Sequence, residues 1–152
     1  MKSVTLSLPT AAATADLAAH LATHLRRGDV VCLDGPLAAG KTTLTVALAR
    51  ALGVEGDVTS PTYTIAAIHP CAKGTLLHVD AYRLENAREF HNLGLEDYID
   101  DGITVVEWAS RLGEAFDAPL HIALSLGDTD SARVARLSAD DARWWPVLEA
   151  LA

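Results

Sequence analysis

Gly35, Gly40, Lys41 and Thr42, within the stretch LDGPLAAGKTTL, fall on the pattern G-x-x-x-x-G-K-[ST]. That spacing has a physical cause. A backbone that wraps a diphosphate closely turns successive N–H groups inward, and a helix N-terminus adds its dipole behind them. The amides of Ala38, Ala39 and Gly40 are the candidate donors, with Lys41 reaching the β- and γ-phosphates. The Thr42 hydroxyl would ligate Mg²⁺, and Thr43 would hydrogen-bond the α-phosphate. Two residues are irregular for such a loop. Pro36 has no N–H, but it lies before the donors. Ala38 stands where a glycine often supplies positive φ, at an expected cost of about 1 kcal/mol.

Phosphate chemistry also needs an acid for the metal or the attacking water. Two stand at strand ends: Asp80 after LLHV and Glu107 after ITVV. The C-terminal ends of parallel strands are where an open α/β sheet assembles its site. The residues alone do not assign metal to one acid and water to the other. SPTYT, residues 60–64, is rich in hydroxyls. A threonine in such a loop senses the γ-phosphate in switch-type hydrolases, although these residues taken alone read as a plain turn.

The elements that would position these groups follow from periodicity. Val4, Leu6 and Leu8 alternate as in a half-buried strand. Thr14 is the expected cap of a helix carrying Leu17, Leu21 and Leu25 on one face, with Gly28 at its end. VVCL, before the phosphate loop, reads as a buried strand, and residues 42–52 as a helix stopped by Gly53. HPCAKG has hairpin chemistry and leads into the strand TLLHVD. Residues 85–101 read as one or two short helices broken near Gly94, before the strand ITVVEW. LHIALSL and ARVARLS alternate on either side of GDTDS, and the chain closes in a short helix near Pro146. Helices mixed with partly hairpin-linked strands imply an α/β fold: a P-loop NTPase-like three-layer sandwich with a mixed parallel and antiparallel sheet.

The 152 residues fit one domain spanning 1–152. A net charge of -8 provides no broad electrostatic footprint for nucleic acid. Two cysteines, Cys32 and Cys71, make no disulfide framework, and their spacing to His69, His78 and His91 matches no familiar zinc pattern. Thr5, Ser7 and Pro9 interrupt any secretory apolar run, and no stretch reaches membrane-span length; the expected location is cytoplasmic, with no membrane partner.

GPLAAGKTT, SPTYT, HVDAYRL and VVEWASRL, in this order and spacing, closely resemble the TsaE family, also called YjeE. The resemblance runs from about Val4 to at least Leu137. Departures from the family pattern are Pro36 and Ala38 in the loop and Ala81 in DAYRL; the loop departures bear on affinity or rate. The resemblance implies an ATPase serving synthesis of tRNA N6-threonylcarbamoyladenosine, slow alone, with ATP and Mg²⁺ as ligands. It implies that Glu107 with Thr42 holds Mg²⁺, and that Asp80 is the water-positioning or general-base residue. Thr62 would belong to a switch-like loop and Trp108 would sit beside the site. Arg83 would support Asp80 or form a structural ion pair. The implied partners are the transferase subunits TsaB and TsaD, with tRNA contacted indirectly through them. Other readings of the same loop are a small-molecule kinase and a nucleotide-gated adaptor with little hydrolysis. No arginine-rich lid is visible for the kinase, and a GTPase would need the absent N-K-x-D and D-x-x-G.

Overall fold

Strand β1 (Lys2–Leu8) sends Leu8 into the core, with Val4 and Leu6 packed beside it, and Pro9 ends it. The structure, a computed structural model, describes residues 1–58 and 65–152. Helix α1 (Ala11–His24) begins a turn earlier than the sequence suggests. Its cap is Thr10, whose Oγ1 accepts from the Ala13 amide at 3.2 Å, and Thr14 lies buried inside the helix. The run Ala11–Ala13 is the reason: alanine is the strongest helix former, so the helix extends back to the first hydroxyl after Pro9. Leu17 and Leu21 are buried, and Leu25 closes the helix before the Gly28 turn.

Strand β2 (Val30–Asp34) and helix α2 (Lys41–Ala51) flank the phosphate loop. After them come β3 (Ala66–Cys71) and β4 (Gly74–Asp80), joined by a hairpin in which Cys71 pairs with Gly74. A single-turn helix at Ala81–Arg83 leads to α3 (Ala87–His91) and α4 (Glu96–Asp101), separated at Gly94. Strand β5 (Ile103–Glu107), a short turn of helix at Ala109–Leu112, and the hairpin β6 (Leu120–Leu126) and β7 (Arg133–Ala139) follow. Helix α5 (Trp145–Leu151) ends the chain, with Pro146 in its first turn.

These strands form one seven-stranded sheet in the order β1-β7-β6-β2-β5-β4-β3. The central strands β6, β2, β5 and β4 are parallel, while β3, β7 and β1 join by antiparallel pairing. Alternate residues of β2 serve opposite faces. Val31 and Leu33 pack with Leu21, Leu44 and Leu48 of α1 and α2. Val30 and Cys32 pack with Leu84, Phe90 and Leu112 on the other side. Two cores on one sheet make the three-layer sandwich that the sequence implied. Its consequence for function is that β2, β4, β5 and β6 all end on one edge, beside the loop after β2.

Candidate active site

The loop between β2 and α2 has the backbone that a phosphate cradle requires. Gly40 caps α2 in the left-handed region, φ 101°, and Ala38 also has positive φ, 66°. Gly35 has φ 149°, and a Cβ there would lie 2.4 Å from the Leu124 carbonyl oxygen of β6. Glycine at 35 is thus demanded by close backbone approach, whereas position 38 tolerates alanine under strain.

Lys41 is buried at 5% exposure, and its Nζ donates across the loop to Gly35 O at 2.6 Å and Pro36 O at 2.9 Å. The same ammonium lies 4.0 Å from the centroid of the Trp108 ring. Burial lowers its pKa below the ordinary lysine value, partly countered by the nearby charges of Glu107, Asp34 and Asp80.

Strand register places the two acids. Asp80 of β4 pairs directly with Glu107 of β5, so both carboxylates emerge at the same level of the sheet. Glu107 is buried; its Oε1 accepts from Thr42 Oγ1 at 2.9 Å, and its Oε2 lies 2.5 Å from His78 Nε2. Asp80 is half-buried, and its Oδ1 accepts from the Tyr82 amide at 3.0 Å. Thr42 and Glu107 together offer hard oxygen donors of the kind that Mg²⁺ takes, so the residues present fit that ion. Trp108 adopts φ 58°, an uncommon conformation for a bulky residue. Its ring sits 5.1 Å from that of Tyr82, which is itself covered by the Arg111 guanidinium at 5.0 Å.

A cleft of about 720 Å³ joins these groups. It is lined by Ala38, Ala39, Gly40, Lys41, Thr42 and Thr43 of the loop and α2. Asp80, Glu107 and Trp108 line it too. Gly35 contributes its carbonyl to Lys41. Thr62 lies outside the described residues. Leu8, Ala11, Thr14, Leu124, Ser131 and Arg133 also line the cleft.

Sequence reasoning missed three contributors. Arg133 reaches from β7 to donate to Ala38 O at 3.2 Å, bracing the loop tip. Asp34 Oδ1 accepts from the Ser110 amide at 2.9 Å, tying the start of the loop to the turn after Trp108. His78 was considered only as a metal ligand, yet it is bonded to Glu107. The one available signal was a polar residue inside the apolar run TLLHVD, two positions before Asp80 and so on the same face of the strand.

A parallel strand, a glycine-bearing loop, a lysine at a helix N-terminus and acids on neighbouring strand ends define the class of P-loop nucleotide-binding proteins. The family model described as "Threonylcarbamoyl adenosine biosynthesis protein TsaE" matches residues 8–135. The chain belongs to the TsaE family. A Streptomyces coelicolor protein named tRNA threonylcarbamoyladenosine biosynthesis protein TsaE is 43% identical over 136 residues, covering 85% of this chain and 92% of the relative. The Haemophilus influenzae protein of the same name is 35% identical, covering 76% and 73%. The crystal structure of Bacillus subtilus YdiB superposes with a TM-score of 0.82 at 30% identity, over 99% of this chain and 94% of that one. Among the described residues, no helix is long and apolar enough to cross a membrane.

Proposed function

We propose that this protein is the ATPase of the tRNA N6-threonylcarbamoyladenosine machinery, binding and hydrolysing ATP with Mg²⁺ to sustain turnover of a TsaB–TsaD transferase complex. The observation that carries the reading is the convergence of Lys41, Thr42, Asp80 and Glu107 on one cleft beside the phosphate loop. The names of the relatives support the pathway assignment.

In this reading the loop amides from Ala38 to Thr43 cradle the phosphates, and Lys41 exchanges its Gly35 and Pro36 carbonyls for phosphate oxygens. The apolar side chains of Leu8, Ala11 and Leu124 in the cleft lining take the adenine. Thr42 and Glu107 would hold Mg²⁺, which would supply positive charge against the phosphates. Asp80 orients the attacking water and accepts its proton as oxygen bonds to the γ-phosphorus. The bond to the bridging oxygen breaks, and ADP leaves with that electron pair. Thr62 senses the γ-phosphate, and Trp108 walls the site beside Lys41. The net charge of -8 suits a subunit that meets tRNA through its partners.

Lys41→Ala should abolish nucleotide binding. Asp80→Asn should retain ADP binding while phosphate release falls roughly 10²- to 10⁴-fold, the usual range for losing a positioned base. The pathway is tested by reconstitution with TsaB, TsaD, tRNA, threonine, bicarbonate and ATP. Multiple-turnover modification that continued unchanged without this chain would refute the assignment.

A further inference from the structure

Glu107 sits in an electrostatically awkward place. Its register partner across β4–β5 is Asp80, and like charges directly opposite on neighbouring strands repel. Both carboxylates face one cleft, and the proposed chemistry needs them to do different things. One must stay with Thr42, and the other must meet water. Something has to fix the Glu107 carboxylate in place beside that second charge.

His78 is built to do this. It lies two residues before Asp80 on β4 and pairs in register with Val105, so it stands diagonally behind Glu107 on the same face. The side chain is wholly buried, in a strand whose neighbours Leu76, Leu77 and Val79 are also wholly buried. An imidazole at such a position is costly unless hydrogen-bonded. Its Nε2 lies 2.5 Å from Glu107 Oε2, and its Nδ1 has no partner among the described residues. The tautomer carrying hydrogen on Nε2 leaves only a lone pair unmatched, whereas the other would bury an unpaired N–H. The proton therefore belongs between His78 and Glu107, with Nε2–H donating.

We propose that His78 is a positioning residue for the metal-binding carboxylate: its Nε2–H fixes Glu107 Oε2, which leaves Oε1 aimed at Thr42 and the position of the cation. The proposal rests on the assignment of Thr42 and Glu107 to Mg²⁺ made above. Outer-shell partners that orient a ligating group typically change metal affinity by roughly 10- to 100-fold when removed. The bond also ties one oxygen of Glu107 to β4, so that its other oxygen stays with Thr42.

The test is calorimetric titration of Mg²⁺ into protein saturated with ADP, beside ADP titration without metal, for the parent and three variants. His78→Gln places an amide N–H where Nε2 stands and should stay within a fewfold of the parent. His78→Leu fills the volume without a donor. His78→Asn carries a donor too short to reach Glu107. Both should need roughly 10- to 100-fold more Mg²⁺, with the loss concentrated in the metal-dependent part of binding. If His78→Leu does not fold, as judged by thermal melting, the contrast between Gln and Asn decides. Equal Mg²⁺ dependence in parent, Leu and Asn proteins overturns the positioning role. So does an equal loss in all three variants. A parent whose ADP binding ignores Mg²⁺ overturns the metal assignment itself, an outcome distinct from failure of the His78 series alone.

Discussion

Replacing Ala38 by glycine should stabilise this protein, although the same change elsewhere should weaken it. Ala38 has φ 66°, its side chain is exposed, and so its methyl group contributes little packing. Holding an L-residue in the left-handed region costs roughly 1–2 kcal/mol. Glycine removes that strain but gives the unfolded chain extra freedom worth about 0.4–1 kcal/mol. The difference is a net gain of roughly 0–1.6 kcal/mol, with a central value of about 0.8. For a chain of this size each kcal/mol moves Tm by roughly 2–4 °C, so a rise of about 2–3 °C is expected. The control is Ala19→Gly, also exposed but in the middle of α1, where regular helix makes alanine the better residue. That change should cost roughly 1 kcal/mol and lower Tm by about 2–4 °C. Thermal melts followed by circular dichroism on the three proteins read both shifts. Equal decreases in the two variants would show that the loop backbone is not strained at position 38, and the reasoning would fail.

Gly35→Ala should act in the opposite direction and strongly, because the new Cβ would meet the Leu124 carbonyl oxygen at 2.4 Å at a backbone φ of 149°. Strain and overpacking together should cost roughly 2–5 kcal/mol, read as a Tm decrease of about 5–15 °C, and ADP affinity by calorimetry should fall with it. His69 provides a pH test: burial first, and His78 second, depress its imidazole below the ordinary 6.5. A histidine whose folded pKa is lowered binds fewer protons folded than unfolded, so its contribution is complete above 6.5 and is lost as pH falls below that value. Urea unfolding at a series of pH values should therefore show His69→Gln losing less stability than the parent below pH 6.5; parallel curves would contradict the assignment.

Legibility from sequence followed the range of the physics involved. The phosphate loop could be read because its chemistry is contiguous: Gly35, Gly40, Lys41 and Thr42 act through one short backbone segment entering one helix. The two acids could be read as strand ends, since an apolar run followed by Asp80 or Glu107 is a local pattern. Only the resemblance to a family implied separate roles for them. The start of α1 was misread because Thr10 and Thr14 are both plausible caps, and alanine propensity over residues 11–13 decided between them. Trp108 gave no warning of its positive φ, because nothing in a tryptophan's identity favours that conformation.

The sequence alone determined that there is a nucleotide-type loop, which strands and helices surround it, and that acids stand at the ends of two strands. Hydrophobic periodicity and turn chemistry act within a few residues, so a linear reading captures them. Tertiary structure alone decided that β5 lies between β2 and β4, which sets Glu107 beside both Thr42 and Asp80. It also decided that His78 meets Glu107 across 29 positions of chain, Asp34 meets Ser110 across 76, and Arg133 reaches the loop across 95. Strand order and register depend on which faces bury which partners in the whole sheet, and no local pattern encodes that choice.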